Sequence, residues 1–547
     1  MGHPSTLSVR KSRSLIELSP LDYLEEAADR PTKQEISADN RFREIGFDAN
    51  NARLGWFIAP AWKDIEANLR KFLELAKGKE NFVFIGMGGS INTVKALVEI
   101  SANAKRPRVF TYDHLDPAAL AEILSEVNLA KTLVVSISKS ATTKETRELS
   151  KNWKAAFDQA GIPYKEHFLW LIDSPKLQDL YTMDNGAWEN VCALPIQPDG
   201  KTDIGGRFTA PYTMIFFLPL LILLGKDMGR LSGIYHQHLK AINQLREAAA
   251  KEADRLFQKK TQYFAVKVAP QLRLSLLTWI TQLFEESLGS KIEGFNPKTL
   301  VISDESQAPG YFSILNAPSS EDKVVSMMQA AYFLQVFVAT LSYHYGINFV
   351  TQPMVEIYKK KMRELAEAEI PPAQEASKEE LAQRIREKLT AQTKFIEVVV
   401  YAHRHQDEID ALERYLQAQF EQKVIVFIGS DWNHHSYQAA AANQDTIFVI
   451  LTQKDFLSQI EGIFGETLEQ NIKDLRIITY ATYETLKDKA LYLAVEDDSA
   501  FGRRENDSPA PKRFNVAIAP IAEYESFQPV KLKVTFNNGK IAVEILQ

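Results

Sequence analysis

The sequence contains a single cysteine, Cys192, among 547 residues. This excludes an intramolecular disulfide and any zinc or iron–sulfur cage built from several thiolates, and it suits a reducing compartment. No stretch is persistently basic, and the net charge is 64 − 70 = −6. We therefore expect a cytoplasmic protein with neither a nucleic-acid partner nor a membrane surface as partner.

Long apolar runs are also missing. The most apolar window, residues 214–224, has 11 residues and contains Pro219, whereas a bilayer span needs about 20 residues. We predict that this window is a buried core helix. Arg10, Lys11 and Arg13 are not followed by an apolar segment, so no signal peptide is expected.

Strand-like and helix-like segments alternate along most of the chain, which predicts an α/β fold with mainly parallel sheets and flanking helices. The length exceeds a single hydrophobic core. We predict a helical segment at 1–75, a first lobe at 76–228, a second lobe at 229–454, and a C-terminal extension at 455–547 that ends in a strand hairpin. The predicted strands outside that hairpin are 82–85, 108–112, 132–137, 168–172, 263–268, 299–303, 424–428, 446–451 and 476–478.

A glycine-rich turn, residues 86–90, follows the first predicted strand of the first lobe. Glycines there would let backbone N–H groups approach an anionic or hydroxylated ligand, although a tight structural turn gives the same pattern. The glycines Gly86, Gly88 and Gly89 are followed by Ser90, Ile91 and Asn92, so the third glycine of a dinucleotide fingerprint is absent.

Five hydroxyl side chains lie within residues 138–146, between a predicted strand and a predicted helix. A capping box formed by Thr142 and Glu145 would use one or two of these groups. The excess favours a site for a phosphate monoester, held by hydroxyls and backbone N–H groups.

Several other residues could carry chemistry or simply lie on the surface. On the helix around Trp279, Glu285 and Glu286 lie about 100° apart, so one is expected to face solvent and the other to face inward. Arg207 follows two glycines and either stabilises an oxyanion or lies in a surface loop. Lys359 lies on a predicted helix, where a lysine is solvated by default.

Paired histidines, His434 and His435, follow another predicted strand and suggest either proton transfer or metal binding. No histidine–carboxylate ligand spacing accompanies them, so we predict no metal there. The remaining histidine pairs are predicted to be surface residues on helices: His236 with His238, and His403 with His405.

Taken together, five motifs resemble the glucose-6-phosphate isomerase family of the sugar isomerase (SIS) fold. The motifs are G-[IM]-G-G-S at 86–90, the phosphate motif S-K-T-x-T-T-x-E-T at 138–146, G-G-R-[FY]-[ST] at 205–209, W-x-x-Q-L-x-x-E-S-x-G at 279–289 and Q-P-x-V-E-x-Y-K at 352–359. In the phosphate motif, this sequence differs at one fixed position, where Ser140 replaces threonine.

The resemblance implies two SIS-type doubly wound sheets and an isomerase of glycolysis and gluconeogenesis that interconverts glucose 6-phosphate and fructose 6-phosphate through an enediolate. It implies no metal and no cofactor, and a homodimer. Glu286 would move the proton, Arg207 would stabilise the enediolate, and Lys359 with a histidine would open the ring. The implied substrate-binding residues are Gly89, Ser90, Ser138, Lys139, Ser140, Thr143 and Gln352.

The histidine is not found at the usual place between the glutamate and the lysine. Residues 434–438 instead resemble the L-H-S-T-G-Q stretch in the isomerase part of transaldolase-fused relatives, and we favour His434 over His435. Met354 and Ser290 replace a usual glycine and a usual lysine. Two alternatives therefore stay open: an isomerase of another phosphosugar such as mannose 6-phosphate, or a phosphosugar-binding protein without catalysis.

Overall fold

The computed structural model describes residues 18–101, 107–289, 295, 297–456 and 465–495, together with the strands at 531–537 and 540–546. Within residues 18–75 the structure contains helices and a short pair of strands, and the first helix packs against helices further along the chain. Helix α1 starts at Pro20 because Ser19 and Asp22 form a capping box. The helices and strands of this N-terminal part are α1 (Pro20–Ala28), α2 (Phe42–Ile45), β1 (Phe47–Asp48), β2 (Asn51–Ala52) and α3 (Trp62–Leu75).

A parallel sheet of five strands follows, in the order β4-β3-β5-β6-β7. Its strands are β3 (Asn81–Ile85), β4 (Arg108–Tyr112), β5 (Thr132–Ile137), β6 (Phe168–Ile172) and β7 (Cys192–Pro195). Strands β3, β5 and β6 are buried throughout, which is why they read as continuous apolar runs. The accompanying helices are α4 (Gly89–Ile100), α5 (Pro117–Glu126), α6 (Lys144–Gln159), α7 (Leu177–Gly186) and the buried α8 (Met214–Leu223).

A smaller parallel sheet and four long helices form the middle of the chain. The helices are α9 (Met228–Leu239), α10 (Ile242–Gln258), α11 (Arg273–Leu288) and α12 (Lys323–Tyr345), and the strands are β8 (Tyr263–Lys267), β9 (Lys298–Ile302) and β10 (Ser313–Asn316), in the order β10-β8-β9. By length and composition α12 could cross a membrane, with a mean hydropathy of 1.6 over its most apolar window. However, 89% of that window is buried inside the protein, where α12 packs against α10 and α11. It is a core helix.

The second large sheet is again parallel and has the strand order β11-β15-β14-β12-β13. Its strands are β11 (Gln374–Ala376), β12 (Phe395–Tyr401), β13 (Lys423–Ile428), β14 (Thr446–Gln453) and β15 (Ala490–Val495). Because β15 pairs with β14, this sheet continues beyond residue 454, the predicted end of the second lobe. The division of the chain into lobes remains a prediction. The helices of this region are α13 (Val355–Leu365), α14 (Lys378–Lys388), α15 (Gln406–Gln417), α16 (Tyr437–Ala440) and α17 (Gly465–Leu486).

The prediction of a strand at 476–478 was wrong, because these residues lie within α17. Leu475 and Ile478 are three positions apart and both are buried, which is a helical spacing. The predicted C-terminal hairpin is confirmed as an antiparallel pair of strands, β16 (Lys531–Asn537) and β17 (Lys540–Leu546). The chain therefore has the predicted α/β fold with parallel sheets.

Candidate active site

The glycine turn, residues 86–90, follows β3 at the carboxyl edge of the first sheet. Gly88 has φ = +55°, and its N–H donates to Asp431 Oδ1 at 3.1 Å. A side chain on Gly89 would place Cβ 1.9 Å from the carbonyl oxygen of Gly206. The turn therefore lies directly against two other segments, which we call the Arg207 loop (residues 203–209) and the histidine turn (residues 431–438).

The phosphate loop, residues 138–143, connects β5 to α6 and gathers hydroxyl groups. Ser140 Oγ and Thr142 Oγ1 are 2.6 Å apart, and Ser138 Oγ and Thr143 Oγ1 are 3.5 Å apart. Thr143 is the N-cap residue of α6. Hydroxyls at the start of a helix are suited to the oxygens of a phosphate monoester, because the helix N-terminus favours negative charge.

Lys139 links the phosphate loop to the Arg207 loop. Its Nζ donates to the carbonyl oxygen of Ile204 at 2.5 Å and lies 3.7 Å from an oxygen of Asp173. Burial lowers the pKa of Lys139 to about 8, and the charge of Asp173 opposes this effect. The ammonium group is thus held at the loop by one carbonyl and one carboxylate.

Arg207 and Glu286 form a buried ion pair. Arg207 Nη1 donates to Glu286 Oε1 at 2.6 Å, and the two side chains are 4% and 5% exposed. The other guanidinium nitrogens donate to Ser287 Oγ and to the carbonyl oxygens of Phe349 and Thr351. Burial raises the pKa of Glu286, although the charge of Arg207 opposes the rise. A carboxylate with a raised pKa is a stronger base, as proton transfer at carbon requires.

The neighbouring Glu285 does not face solvent. Both glutamates are buried, so the expectation that one of them would be solvated was wrong. Glu285 Oε1 accepts the N–H of Thr299 at 3.1 Å, on β9. Burial raises the pKa of Glu285 to about 7, and the nearby charge of Lys298 opposes it. The small sheet therefore supplies the partners that make burial of this second carboxyl group tolerable.

Gln282, one helical turn before Glu286, joins α11 to the histidine turn. Its Nε2 donates to Glu286 Oε2 at 2.9 Å and to the carbonyl oxygen of His434 at 3.2 Å, while its Oε1 accepts from Asn92 Nδ2 at 3.0 Å. These three bonds fix the orientation of the amide. Gln282 was seen in the sequence only as part of the helix motif, and no role was predicted for it.

His434 pairs with Glu145, in the first turn of α6. His434 Nε2 and Glu145 Oε1 are 3.2 Å apart. Burial acts to lower the pKa of His434, but the hydrogen bond and charge of Glu145 outweigh it and raise the pKa. Burial acts to raise the pKa of Glu145, but the bond to His434 outweighs it and lowers the pKa. The pair therefore favours its charged form.

This pairing excludes the capping box of Thr142 and Glu145, which the spacing had offered as the alternative to a phosphate site. The N-cap of α6 is Thr143, not Thr142, and the carboxylate of Glu145 is turned toward the histidine turn. The sequence could have indicated a role for Glu145 in the site, because it follows the phosphate loop directly. The capping interpretation gave it a different role.

His435 is directed elsewhere. It is buried, its Nδ1 is 2.7 Å from Ser436 Oγ, and its ring packs edge-on against Phe427. Burial lowers the pKa of His435 to about 4, so the ring is neutral near pH 7. Of the two histidines, His434 is the one in contact with the other candidate residues.

The segment 351–359 borders this cluster without bonding directly to Glu286. The carbonyl oxygen of Gln352 accepts the N–H of Val355, and Lys359 Nζ is 3.3 Å from Glu356 Oε1 on its own helix. The positive charge of Lys359 nevertheless acts on this pair. It helps to lower the pKa of Glu145, and it opposes the rise in the pKa of His434.

One departure from the family pattern, Met354, lies in this segment. Met354 is buried, and its N–H donates to Gln438 Oε1 at 2.9 Å. Gln438 also donates to the carbonyl oxygen of Gly289 at 2.7 Å, so the histidine turn holds both the end of α11 and the start of α13. Ser290 lies outside the described residues.

These contacts, some between side chains and some to backbone carbonyls, join the segments in a closed circuit. It runs from the phosphate loop to the Arg207 loop, to α11, to the histidine turn, and back through the first turn of α6. The circuit joins a hydroxyl-rich loop, a buried carboxylate with a raised pKa, a fixed guanidinium and a titratable histidine. Its members are Lys139, Arg207, Glu286, Gln282, His434 and Glu145.

Comparison with known proteins gives a consistent result. The family described as "Phosphoglucose isomerase" matches residues 73–172. A glucose-6-phosphate isomerase of Thermus thermophilus is 31% identical over 242 residues, covering 43% of this chain and 55% of that protein. One of Chlamydia trachomatis serovar L2 is 32% identical over 156 residues, 28% of each chain. The matched region thus spans about half of the first relative and about a quarter of the second.

Among solved structures, a glucose-6-phosphate isomerase from Chlamydia trachomatis D/UW-3/Cx covers 63% of this chain and 83% of its own, with a TM-score of 0.47 and 14% identity. The hypothetical protein TT0462 from Thermus thermophilus covers 63% and 95%, with a TM-score of 0.46 and 21% identity. By the family match and the curated relatives, part of this chain, including residues 73–172, is similar to phosphoglucose isomerases.

Proposed function

We propose that this protein interconverts glucose 6-phosphate and fructose 6-phosphate by proton transfer between C1 and C2 of the open-chain sugar. The observation that carries the proposal is the closed circuit: Lys139 in the phosphate loop bonds to the Arg207 loop, Arg207 pairs with Glu286, and Glu145 pairs with His434. Such a site can hold a phosphate at one end and a reacting carbon at the other.

In the proposed reaction, Glu286 removes the proton from C2 of the open-chain aldose and returns it to C1, and the hydroxyl proton of O2 passes to O1 as the C2 carbonyl forms. The intermediate enediolate carries negative charge on oxygen, and Arg207 supplies a fixed positive charge beside the carboxylate. Because every guanidinium nitrogen of Arg207 already has a protein partner, its position needs no reorganisation during the reaction. No metal or nucleotide takes part in these steps.

Ring opening requires a separate proton transfer between the ring oxygen and the anomeric hydroxyl. We propose that His434 performs it, with Glu145 orienting the imidazole and Lys359 assisting, because a histidine titrates near neutral pH. Ser138, Ser140 and Thr143, with Lys139, Gly89, Ser90 and Gln352, remain the proposed substrate-binding residues.

The wider setting is proposed on the same basis. A single cysteine is compatible with a reducing cytoplasm, and members of the family resembled here are usually dimeric. We therefore propose a cytoplasmic homodimer. The specific likeness to transaldolase-fused relatives, which rests on residues 434–438, also stays a prediction.

The test is the turnover of Glu286→Gln with glucose 6-phosphate, measured in a coupled assay. The amide keeps the shape of the side chain but cannot accept the proton, so kcat should fall by more than about 10²-fold with little change in KM. Glu379→Gln, on the exposed face of α14, is the matched control and should retain full turnover. Near-normal turnover of Glu286→Gln would remove the proposed role.

Assays of the unmodified protein with other phosphosugars separate the alternatives. An unmodified protein that binds 6-phosphogluconate but turns over neither glucose 6-phosphate nor mannose 6-phosphate is a phosphosugar-binding protein. Turnover of mannose 6-phosphate alone would change the substrate and keep the chemistry. Each outcome contradicts a different part of the proposal.

A further inference from the structure

A second cluster of ionisable side chains lies away from the circuit, between the two large sheets. Glu122 is on α5, beside the first sheet, whereas His403 and His405 follow β12 of the second sheet. The two histidines were predicted to be surface residues on helices. They lie instead in the loop 402–405, with His405 as the N-cap residue of α15.

The three side chains converge on one point. One ligand atom from each of them lies within 4.8 Å of the other two. Glu122 Oε2 is 2.8 Å from His403 Nε2 and 3.7 Å from His405 Nε2. In a tetrahedral zinc site with bonds of about 2.0–2.1 Å, the ligand atoms are about 3.3–3.4 Å apart. The two separations from Glu122 lie on either side of this value, and the third ligand pair is no more than 4.8 Å apart.

The backbone of the loop is already held in place. The N–H of His403 donates to Asp116 Oδ2 at 2.8 Å, and the N–H of His405 donates to Glu408 Oε2 at 2.8 Å. Asp116 is the N-cap residue of α5, the helix that carries Glu122. The loop and the helix that provide the three ligands are therefore fixed to each other independently of any ion, which lowers the cost of ordering a site on binding.

We propose that Glu122, His403 and His405 form a binding site for a divalent transition-metal ion such as Zn²⁺. Two imidazoles and one carboxylate are a ligand set of Zn²⁺, whereas Mg²⁺ and Ca²⁺ require oxygen ligands. The side chains are 32%, 27% and 39% exposed, respectively, so water can reach the ion and complete its coordination. The ion would connect the first sheet to the second and stabilise their arrangement.

The proposal is tested by calorimetric titration of the metal-free full chain with ZnCl2. One equivalent should bind with a dissociation constant in the micromolar range or below, and MgCl2 should not compete. Zn²⁺ should also raise the Tm of the protein with increasing concentration, because it binds the folded state. Co²⁺, used as a spectroscopic probe, should produce visible absorption that ZnCl2 removes.

Variants show whether these residues hold the ion. Glu122→Gln, His403→Ala and His405→Ala should each weaken Zn²⁺ binding by at least about 10-fold and reduce the Co²⁺ absorption. His236→Ala, an exposed histidine on α9, is the matched control and should bind as the unmodified chain does. His405→Ala removes the most exposed of the three side chains, and far-UV circular dichroism checks that each variant is folded.

Two results would overturn the proposal. One is the absence of Zn²⁺ binding, or of any Tm shift, in the unmodified chain. The other is unchanged Zn²⁺ affinity in folded His405→Ala and Glu122→Gln, which would leave the cluster as a histidine–carboxylate ion pair only. Neither readout depends on isomerase activity, so the outcome is independent of the proposed function.

Discussion

Glu285 and Glu286 are adjacent on α11, yet they have different partners. Glu286 pairs with Arg207, from the loop after the first sheet, and Glu285 accepts an N–H from β9 in the small sheet. Helical periodicity alone shows that the two side chains point in different directions. It does not show which of them faces Arg207, because both are buried. The assignment of Glu286 came from the motif W-x-x-Q-L-x-x-E-S-x-G, and the structure adds the guanidinium that supports it.

Residues whose role depends on a distant partner were the hardest to predict. Glu145 and His434 are 289 positions apart in the sequence, and Gln282 lies 152 positions before the carbonyl it binds. Local spacing instead suggested a helix cap for Glu145. Pairings of this kind depend on how the sheets are arranged, which local patterns in the chain do not encode.

The choice between His434 and His435 gives a prediction at this scale. We expect His434→Gln to lower kcat by about 10²-fold or more, because it removes the proposed acid–base group. His435→Gln should leave kcat nearly unchanged, since His435 is neutral near pH 7 and bonds to Ser436. The measurement is the steady-state kinetics of both variants, with Tm recorded to show that each is folded. An equal loss of kcat in both variants would contradict the assignment.

At the scale of elements, continuous apolar runs predicted the strands of the first sheet well. Strands β3, β5 and β6 are buried on both faces, so their sequences contain few polar interruptions. The same signal failed at 476–478, where a short β-branched run lies within α17. A run of three residues carries too little periodicity to distinguish a strand from a buried helix.

Close contact between the glycine turn and the Arg207 loop gives a prediction for an element boundary. In Gly89→Ala, the added methyl group would lie 1.9 Å from the carbonyl oxygen of Gly206, so the turn must move. We expect the free energy of unfolding to fall by about 1–3 kcal/mol, as for other overpacked sites. We also expect a loss of kcat/KM, because Arg207 is displaced from Glu286.

The control for this variant is Gly233→Ala, on α9, where an added Cβ meets no atom within 4 Å. Alanine is the better helix former, so this substitution should leave stability unchanged or raise it by up to about 1 kcal/mol. Urea denaturation of both variants provides the comparison. If Gly89→Ala were as stable and active as Gly233→Ala, the two loops would not need their close approach.

At the scale of the whole molecule, the α/β class followed from the alternation of strands and helices, but the number of sheets did not. Strands β8, β9 and β10 form a separate three-stranded sheet, and in chain order they come after the first sheet of five strands and before the second. Strand β15 returns to the second large sheet after a long helix and pairs between β11 and β14. Strand order of this kind depends on long-range pairing, which hydrophobic patterns do not specify.

One buried ion pair joins the small sheet to the second large sheet. Lys298 on β9 pairs with Glu397 on β12, and both side chains are fully buried. Glu397 also accepts a hydrogen bond from Trp432 Nε1, in the histidine turn. The pair therefore connects two sheets and supports the segment that positions His434.

This pair leads to a prediction for the stability of the whole chain. Lys298→Met leaves Glu397 buried without its cation, which should lower the free energy of unfolding by about 3–5 kcal/mol. Lys267→Met, on the adjacent strand β8, removes a lysine from an exposed pair with Glu305 and should cost less than about 1 kcal/mol. Adding Glu397→Gln to Lys298→Met should restore much of the loss, because the amide carries no charge and still accepts from Trp432. Urea denaturation measures all three, and equal costs for the two lysine variants would show that the buried pair does not hold the sheets together.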